Sequence, residues 1–151
     1  MWRAIARLTP CALFGAAALC VSAIVLTGCG VTGSAGAKPA ARSVKVVERD
    51  FHIVAPAEVA AGAVRLSVQN DGPDEHELIV VREGSRPLPL RRDGLTVDED
   101  AIAKSKAGSL EPGAPGSVRQ LTVNLGPGRY VLFCNMSGHF MGGMHTELLV
   151  R

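Results

Sequence analysis

Val64, Leu66 and Val68 alternate with Arg65, Ser67 and Gln69, so an extended chain here has one apolar and one wet face. The same alternation returns at Leu121, Val123 and Leu125, and shorter apolar runs occupy residues 78–81, 131–133 and 148–150. Turn signals separate them: Ala61-Gly62, Asn70-Asp71-Gly72-Pro73, Glu111-Pro112-Gly113 and Gly126-Pro127-Gly128. Short strands spaced by such turns predict an all-β fold, an antiparallel sandwich beginning near Ser43.

Residues 82–117 interrupt this rhythm, being too long and too polar for a hairpin loop. Thr96-Val-Asp-Glu99 has the pattern of a capping box, and Asp98, Glu99 and Asp100 suit a helix N-terminus. One short surface helix is expected there, running on through Ala101 to Lys106 and ended by Gly108. Such a helix is either a partner-docking element or a crossover that covers one end of the sandwich.

The N-terminus reads as a targeting segment. Arg3 and Arg7 form a basic lead, residues 10–26 are almost wholly apolar, and Leu26-Thr27-Gly28-Cys29 resembles a bacterial lipobox. The expected organisation is a lipoprotein signal peptide at 1–28, a lipidated Cys29 with a flexible tether over 29–42, and a folded domain at 43–151. The tether residues, Gly/Ala-rich and without period, would span roughly 20 Å as a random coil.

Processing changes the arithmetic. Cys11 and Cys20 leave with the signal and Cys29 takes the lipid, so Cys134 is the one thiol of the expected domain. A lone thiol in an oxidising compartment has no internal disulfide partner and needs protection or use. Of the 16 basic residues, Arg3 and Arg7 also leave, so 14 face the 14 acidic ones. That balance argues against a nucleic-acid partner.

Cys134, His139 and Met144 share one short stretch, Cys134-Asn-Met-Ser-Gly-His139-Phe-Met-Gly-Gly-Met144, and His76 lies upstream at the start of an apolar run. A thiolate, two imidazoles and a thioether are the donors that hold copper for electron transfer. Gly138, Gly142 and Gly143 would let the loop turn tightly around a cation. Met141 competes with Met144 as the thioether, with the spacing favouring Met144; Met136, His145 and His52 are not expected to be ligands.

Two blocks, Val64-Arg-Leu-Ser-Val-Gln-Asn70-Asp-Gly-Pro-Asp-Glu-His76 and Gly128-Arg-Tyr-Val-Leu-Phe-Cys134 through Met144, resemble the small cupredoxins, single-domain blue copper proteins. The resemblance covers roughly residues 43–151 and implies a Greek-key β-sandwich holding one type 1 copper ion. It makes His76, Cys134 and His139 the equatorial ligands and Met144 the axial one. The Cys-x4-His-x4-Met spacing resembles that of rusticyanin, and Tyr130 after Gly-Pro-Gly resembles a tyrosine corner. Glu77 departs from the pattern, standing where many cupredoxins have an Asn or Ser that ties the two ligand loops together. The 82–117 segment is also longer than in compact plastocyanins.

An extracytoplasmic electron carrier follows as the expected function, with copper storage or delivery to an oxidase as the alternative. An enzyme is disfavoured because Cys134 and His139 have no third orienting group in view. Structural zinc would want more thiolates. The expected partners are redox proteins, met through Phe140 and apolar neighbours at the edge of His139, for a monomer held to the membrane by its lipid. Local charge could still steer docking, through Arg82, Arg86, Arg91 and Arg92 or through Asp71, Asp74 and Glu75.

Overall fold

The computed structural model describes residues 40–84 and 87–151. The expected leader, Cys29, most of the tether and Arg86 lie outside the described residues. Nine strands are described: β1 (Arg42–Arg49), β2 (His52–Val54), β3 (Glu58–Val59), β4 (Gly62–Asn70), β5 (His76–Arg82), β6 (Lys106–Gly113), β7 (Val118–Leu125), β8 (Gly128–Phe133) and β9 (His145–Val150). They form one sheet in the order β2-β1-β4-β7 and another in the order β3-β9-β8-β5-β6.

The alternating stretch is β4, and its apolar set Val64, Leu66 and Val68 is fully buried between the sheets. Val44 and Val46 of β1, Leu78 and Val80 of β5, Leu132 of β8 and Leu148 of β9 meet it there. Not every pairing is antiparallel as expected: β1 runs parallel to β4, and β3 parallel to β9. The cause is the short β2–β3 passage, which carries the chain from the edge of one sheet to the edge of the other before β4 begins.

β5 is apolar on both faces because both are covered. Leu78 and Val80 point into the sandwich, while Ile79 and Val81 pack with Phe133, Val97 and Ile102 on the outer side. The crossover from β5 to β6 thus lies over the outer face of the five-stranded sheet.

That crossover differs from its expected form. The helix, α1, is one turn over Glu99–Ile102, and its N-cap is Asp98 rather than Thr96, with Asp98 Oδ1 accepting from the N–H of Asp100 (3.2 Å) and of Ala101 (3.3 Å). Val97 is fully buried and bridged to Leu90, so the chain stays extended through it and the helix starts later. From Lys106 the chain pairs with β5 as β6 instead of continuing the helix. Gly108 lies inside that strand, where a Cβ would stand 2.8 Å from Val123 Cγ1 and 3.4 Å from Leu121 Cδ1. It permits a close approach of β6 to β7 rather than ending a helix.

Two side chains lock the sandwich. Tyr130, buried, donates to the Gly126 carbonyl at 3.1 Å across the Gly-Pro-Gly turn, as a tyrosine corner does. Glu48, inward-facing and fully buried on β1, pairs with Arg119 of β7 at 2.6 Å, and Arg119 also donates to the Glu111 carbonyl of β6. Burial pushes the Glu48 carboxyl up to about 7, against the opposing pull of Arg119.

Because its folded value lies above the ordinary 4.5, the folded chain holds a proton on Glu48 that the unfolded chain has lost. That contribution is complete below 4.5 and disappears as pH rises through about 7. Urea unfolding of the metal-free protein at pH 5 and pH 8 should show it. The wild type should lose on the order of 2 kcal/mol more than Glu48→Gln over that interval. The raised Glu77 carboxyl is common to both chains and drops out of the comparison. Equal losses would contradict the assignment.

Candidate metal centre

Three polar side chains converge at one end of the sandwich. His76 opens β5 and is fully buried; Cys134 directly follows β8 and is fully buried; His139 sits partly exposed in the turn between β8 and β9. One donor atom from each lies within 4.8 Å of the others. Cys134 Sγ is 3.6 Å from His139 Nδ1, and the two imidazoles stand 5.2 Å apart, inclined at 60°. Donors bound tetrahedrally to one small cation are separated by about 3.5 Å, so the sulfur–nitrogen distance suits a shared ion.

Backbone bonds hold these groups in place. The Cys134 N–H donates to the Met144 carbonyl at 3.1 Å, closing the ligand loop on itself. Inside the loop, Met144 N–H reaches His139 O at 2.9 Å and Gly142 N–H reaches Gly138 O at 2.8 Å. Gly138 and Gly143 have φ of +82° and +102°, a region other residues rarely adopt. Met144 is fully buried in the core cluster with Cys134, whereas Met141 is 55% exposed. Met136 packs against that core, and His145 and His52 are exposed and outside the cluster.

Two asparagines that sequence reasoning left unused wire the loops. Asn70, fully buried at the end of β4, donates to Asp74 O (2.7 Å) and Gly113 O (2.9 Å) and accepts from the Gly72 N–H (2.9 Å). It sets the path of the loop that delivers His76. Asn135 pairs with both backbone groups of Val97 (2.6 and 3.1 Å) and donates to Glu99 at 3.2 Å. The Gly138 N–H donates to Leu95 O at 3.2 Å, so the crossover is bolted to the ligand loop at two points. At Glu77, the departure from the cupredoxin pattern, burial pushes the carboxyl up, then the nearby Glu99 adds to the rise and the Asn135 N–H opposes it.

Burial favours the neutral forms of Cys134 and His76 in the metal-free chain. Burial pushes the Cys134 thiol up to about 11, while the backbone N–H groups of Met136 and Glu77, directed at the sulfur, oppose the rise. Burial, then the neighbouring His139, hold His76 below its ordinary value, with Asp50 opposing. Asp50 Oδ1 stands 3.0 Å from His76 Nε2 but without hydrogen-bond alignment, and neither His76 nitrogen is hydrogen-bonded among the described residues. A buried imidazole with a free lone pair beside a buried thiol is a donor set that fits a soft or borderline cation.

The surface beside His139 differs from expectation. Phe140 turns back onto Phe133, edge to face at 5.3 Å, and joins the Ile79–Val81 cluster. Exposed apolar groups here include Met141 and Phe51, whose ring lies 5.4 Å from that of His139. Phe51 has φ of +60°, the one non-glycine residue with positive φ among those described. A Cβ on Gly142 would run into its ring.

No protein-family model and no curated protein matches the sequence. Solved structures do match. Auracyanin from the photosynthetic bacterium Roseiflexus castenholzii is 16% identical, with a TM-score of 0.54 over 74% of this chain and 98% of its own. Auracyanin A, described as a "blue" copper protein of Chloroflexus aurantiacus, is 15% identical, with a TM-score of 0.56 over 74% and 100%. Rusticyanin from Thiobacillus ferrooxidans is 14% identical, with a TM-score of 0.53 over 74% and 79%. The fold is therefore that of the cupredoxins, and the His76–Cys134–His139 cluster fits the site of one type 1 copper ion.

Asn135→Ala should strand the buried Val97 N–H and C=O and cost about 1–3 kcal/mol of stability. Denaturant unfolding of the metal-free protein measures this, and a loss under about 0.5 kcal/mol would show that the Asn135 bonds do not hold the crossover.

Proposed function

We propose that this chain is an extracytoplasmic type 1 copper protein that passes single electrons between redox proteins, held at a membrane through a lipid on Cys29. The observation that carries the reading is the convergence of a buried thiol, a buried imidazole with a free lone pair and a half-exposed imidazole at one end of a cupredoxin fold. Bound copper supplies a Cu(I)/Cu(II) couple there. His76, Cys134 and His139 would hold the ion, with Met144 as a fourth, weaker thioether donor; its full burial supports it over the exposed Met141.

The residues divide the task. Cys134 gives up its proton to become the strong donor, helped by the two N–H groups aimed at its sulfur. The frame around it resists reorganisation: sheet on one side, the bolted crossover on the other. His139 is the exit, and Phe51 and Met141 beside it offer a small apolar face for brief encounters with a partner. Storage or delivery would favour an accessible, exchangeable site, and the burial of Cys134, His76 and Met144 points the other way.

The anchor rests on the lipobox-like Leu26-Thr27-Gly28-Cys29. Among the described residues no helix is long and apolar enough to cross a membrane. Cys29→Ser should move the full-length protein from the detergent to the aqueous phase on Triton X-114 separation of cells that express it. Unaltered partition would remove the lipid from the account.

Copper loading of the full chain should produce an intense thiolate-to-Cu(II) visible band and a narrow-coupling EPR spectrum, both absent in Cys134→Ser. Met144→Leu should keep the colour and raise the reduction potential, since a donor to Cu(II) is lost. A colourless, folded wild type would refute the copper assignment. Rapid loss of the metal to a mild chelator would move the reading to delivery.

A further inference from the structure

Asp50 has no place in the ligand set, yet the structure aims it at the centre. It occupies the turn between β1 and β2, and its Oδ1 stands 3.0 Å from Nε2 of His76. Asp50 Oδ1 is itself buried and has no hydrogen-bond partner among the described residues. Two sealed polar atoms of complementary character therefore face each other.

The loop above them is shaped to permit this. Gly72 is buried, and a Cβ there would come within 2.7 Å of His76 Nε2, 2.8 Å of Asp50 Oδ1 and 3.2 Å of Asp50 N. The adjoining Asp71 N–H donates to the Glu48 carbonyl at 2.8 Å, laying the loop against the end of β1. Asn70 holds the Gly72 N–H from below. The glycine thus keeps open the space in which the carboxylate and the ring meet.

We propose that Asp50 is the positioning residue of the metal centre: a small rotation of the ring or the carboxylate turns their unaligned 3.0 Å contact into a hydrogen bond from Nε2–H of His76, which fixes the tautomer that leaves the Nδ1 lone pair for copper. A neutral imidazole carries one N–H, so an acceptor at one nitrogen decides which nitrogen is free to ligate. Metal-bound histidines commonly donate their other N–H to a carboxylate or carbonyl, and loss of that partner typically weakens metal binding 10–100-fold. A carboxylate also brings a negative charge one ring away from the ion, which stabilises Cu(II) over Cu(I) and lowers the reduction potential.

The inference rests on the copper reading, and its test separates the two. Long-range 1H–15N spectra of the metal-free full chain should show His76 as the Nε2–H tautomer in the wild type and a mixture in Asp50→Leu. A wild-type Nδ1–H tautomer would overturn the proposal whatever metal is bound. In the copper-loaded protein, Asp50→Asn keeps an acceptor oxygen but loses the charge. It should retain the visible band and raise the potential, while Asp50→Leu binds copper roughly 10–100-fold more weakly. Asp71→Asn removes an equal charge from a neighbouring acid that pairs with Arg49 at 3.6 Å, and should shift the potential less. No shift in Asp50→Asn, or an equal shift in Asp71→Asn, would reduce Asp50 to a general surface charge. A wild type that takes up no copper sinks the function, and the tautomer then still decides the contact.

Discussion

A polar group sealed from water without a partner costs about 1–3 kcal/mol, and this fold accepts that cost at His76, whose Nδ1 has no partner and whose Nε2 meets only the unaligned Asp50 carboxylate among the described residues. An apolar residue at the start of β5 would have extended the buried run of Leu78–Val81 by one turn of the pleat at no such expense. The arrangement becomes favourable only when a cation takes up the lone pair. The thiol of Cys134 poses the same problem: burial raises its proton affinity, and only an ion that replaces the proton makes the thiolate stable there.

The surrounding structure follows from having to hold such groups still. β5 brings one imidazole from within the sheet, and the turn between β8 and β9 brings the remaining donors from outside it. A strand and a turn must therefore keep a common geometry. The chain answers with paired backbone bonds inside the turn, with Asn70 beneath one loop, and with Asn135 fastening the other to the crossover. The crossover therefore serves the site through its bonds to the ligand loop.

Much of this was readable in the order of residues, and the limit is physical. The strand β4 and the stretch from Cys134 to Met144 declare themselves because their information is local: a period of two, and a donor spacing. β6 stayed hidden because it is a polar, half-exposed edge strand with glycine and proline in it, held by β5 rather than by its own pattern. The helix was misplaced by two residues since burial of Val97, not capping preference, decides where the chain stops being extended. Glu48 and Arg119 lie 71 positions apart, and Asp50 and His76 meet only once β1 and the β4–β5 loop are folded. Pairings of that kind leave no local mark.

Phe51 and Gly142 illustrate what such distant contacts impose. A phenylalanine in a left-handed backbone conformation is uncomfortable, and it persists here with its ring laid over Gly142, one of three glycines in the ligand turn. The turn between the first two strands is thereby keyed into the turn that carries His139. A side chain at residue 142 would have to displace the Phe51 ring, so a substitution at either position is felt by the other. Ninety-one residues apart in the chain by their numbering, they fit together as a single joint.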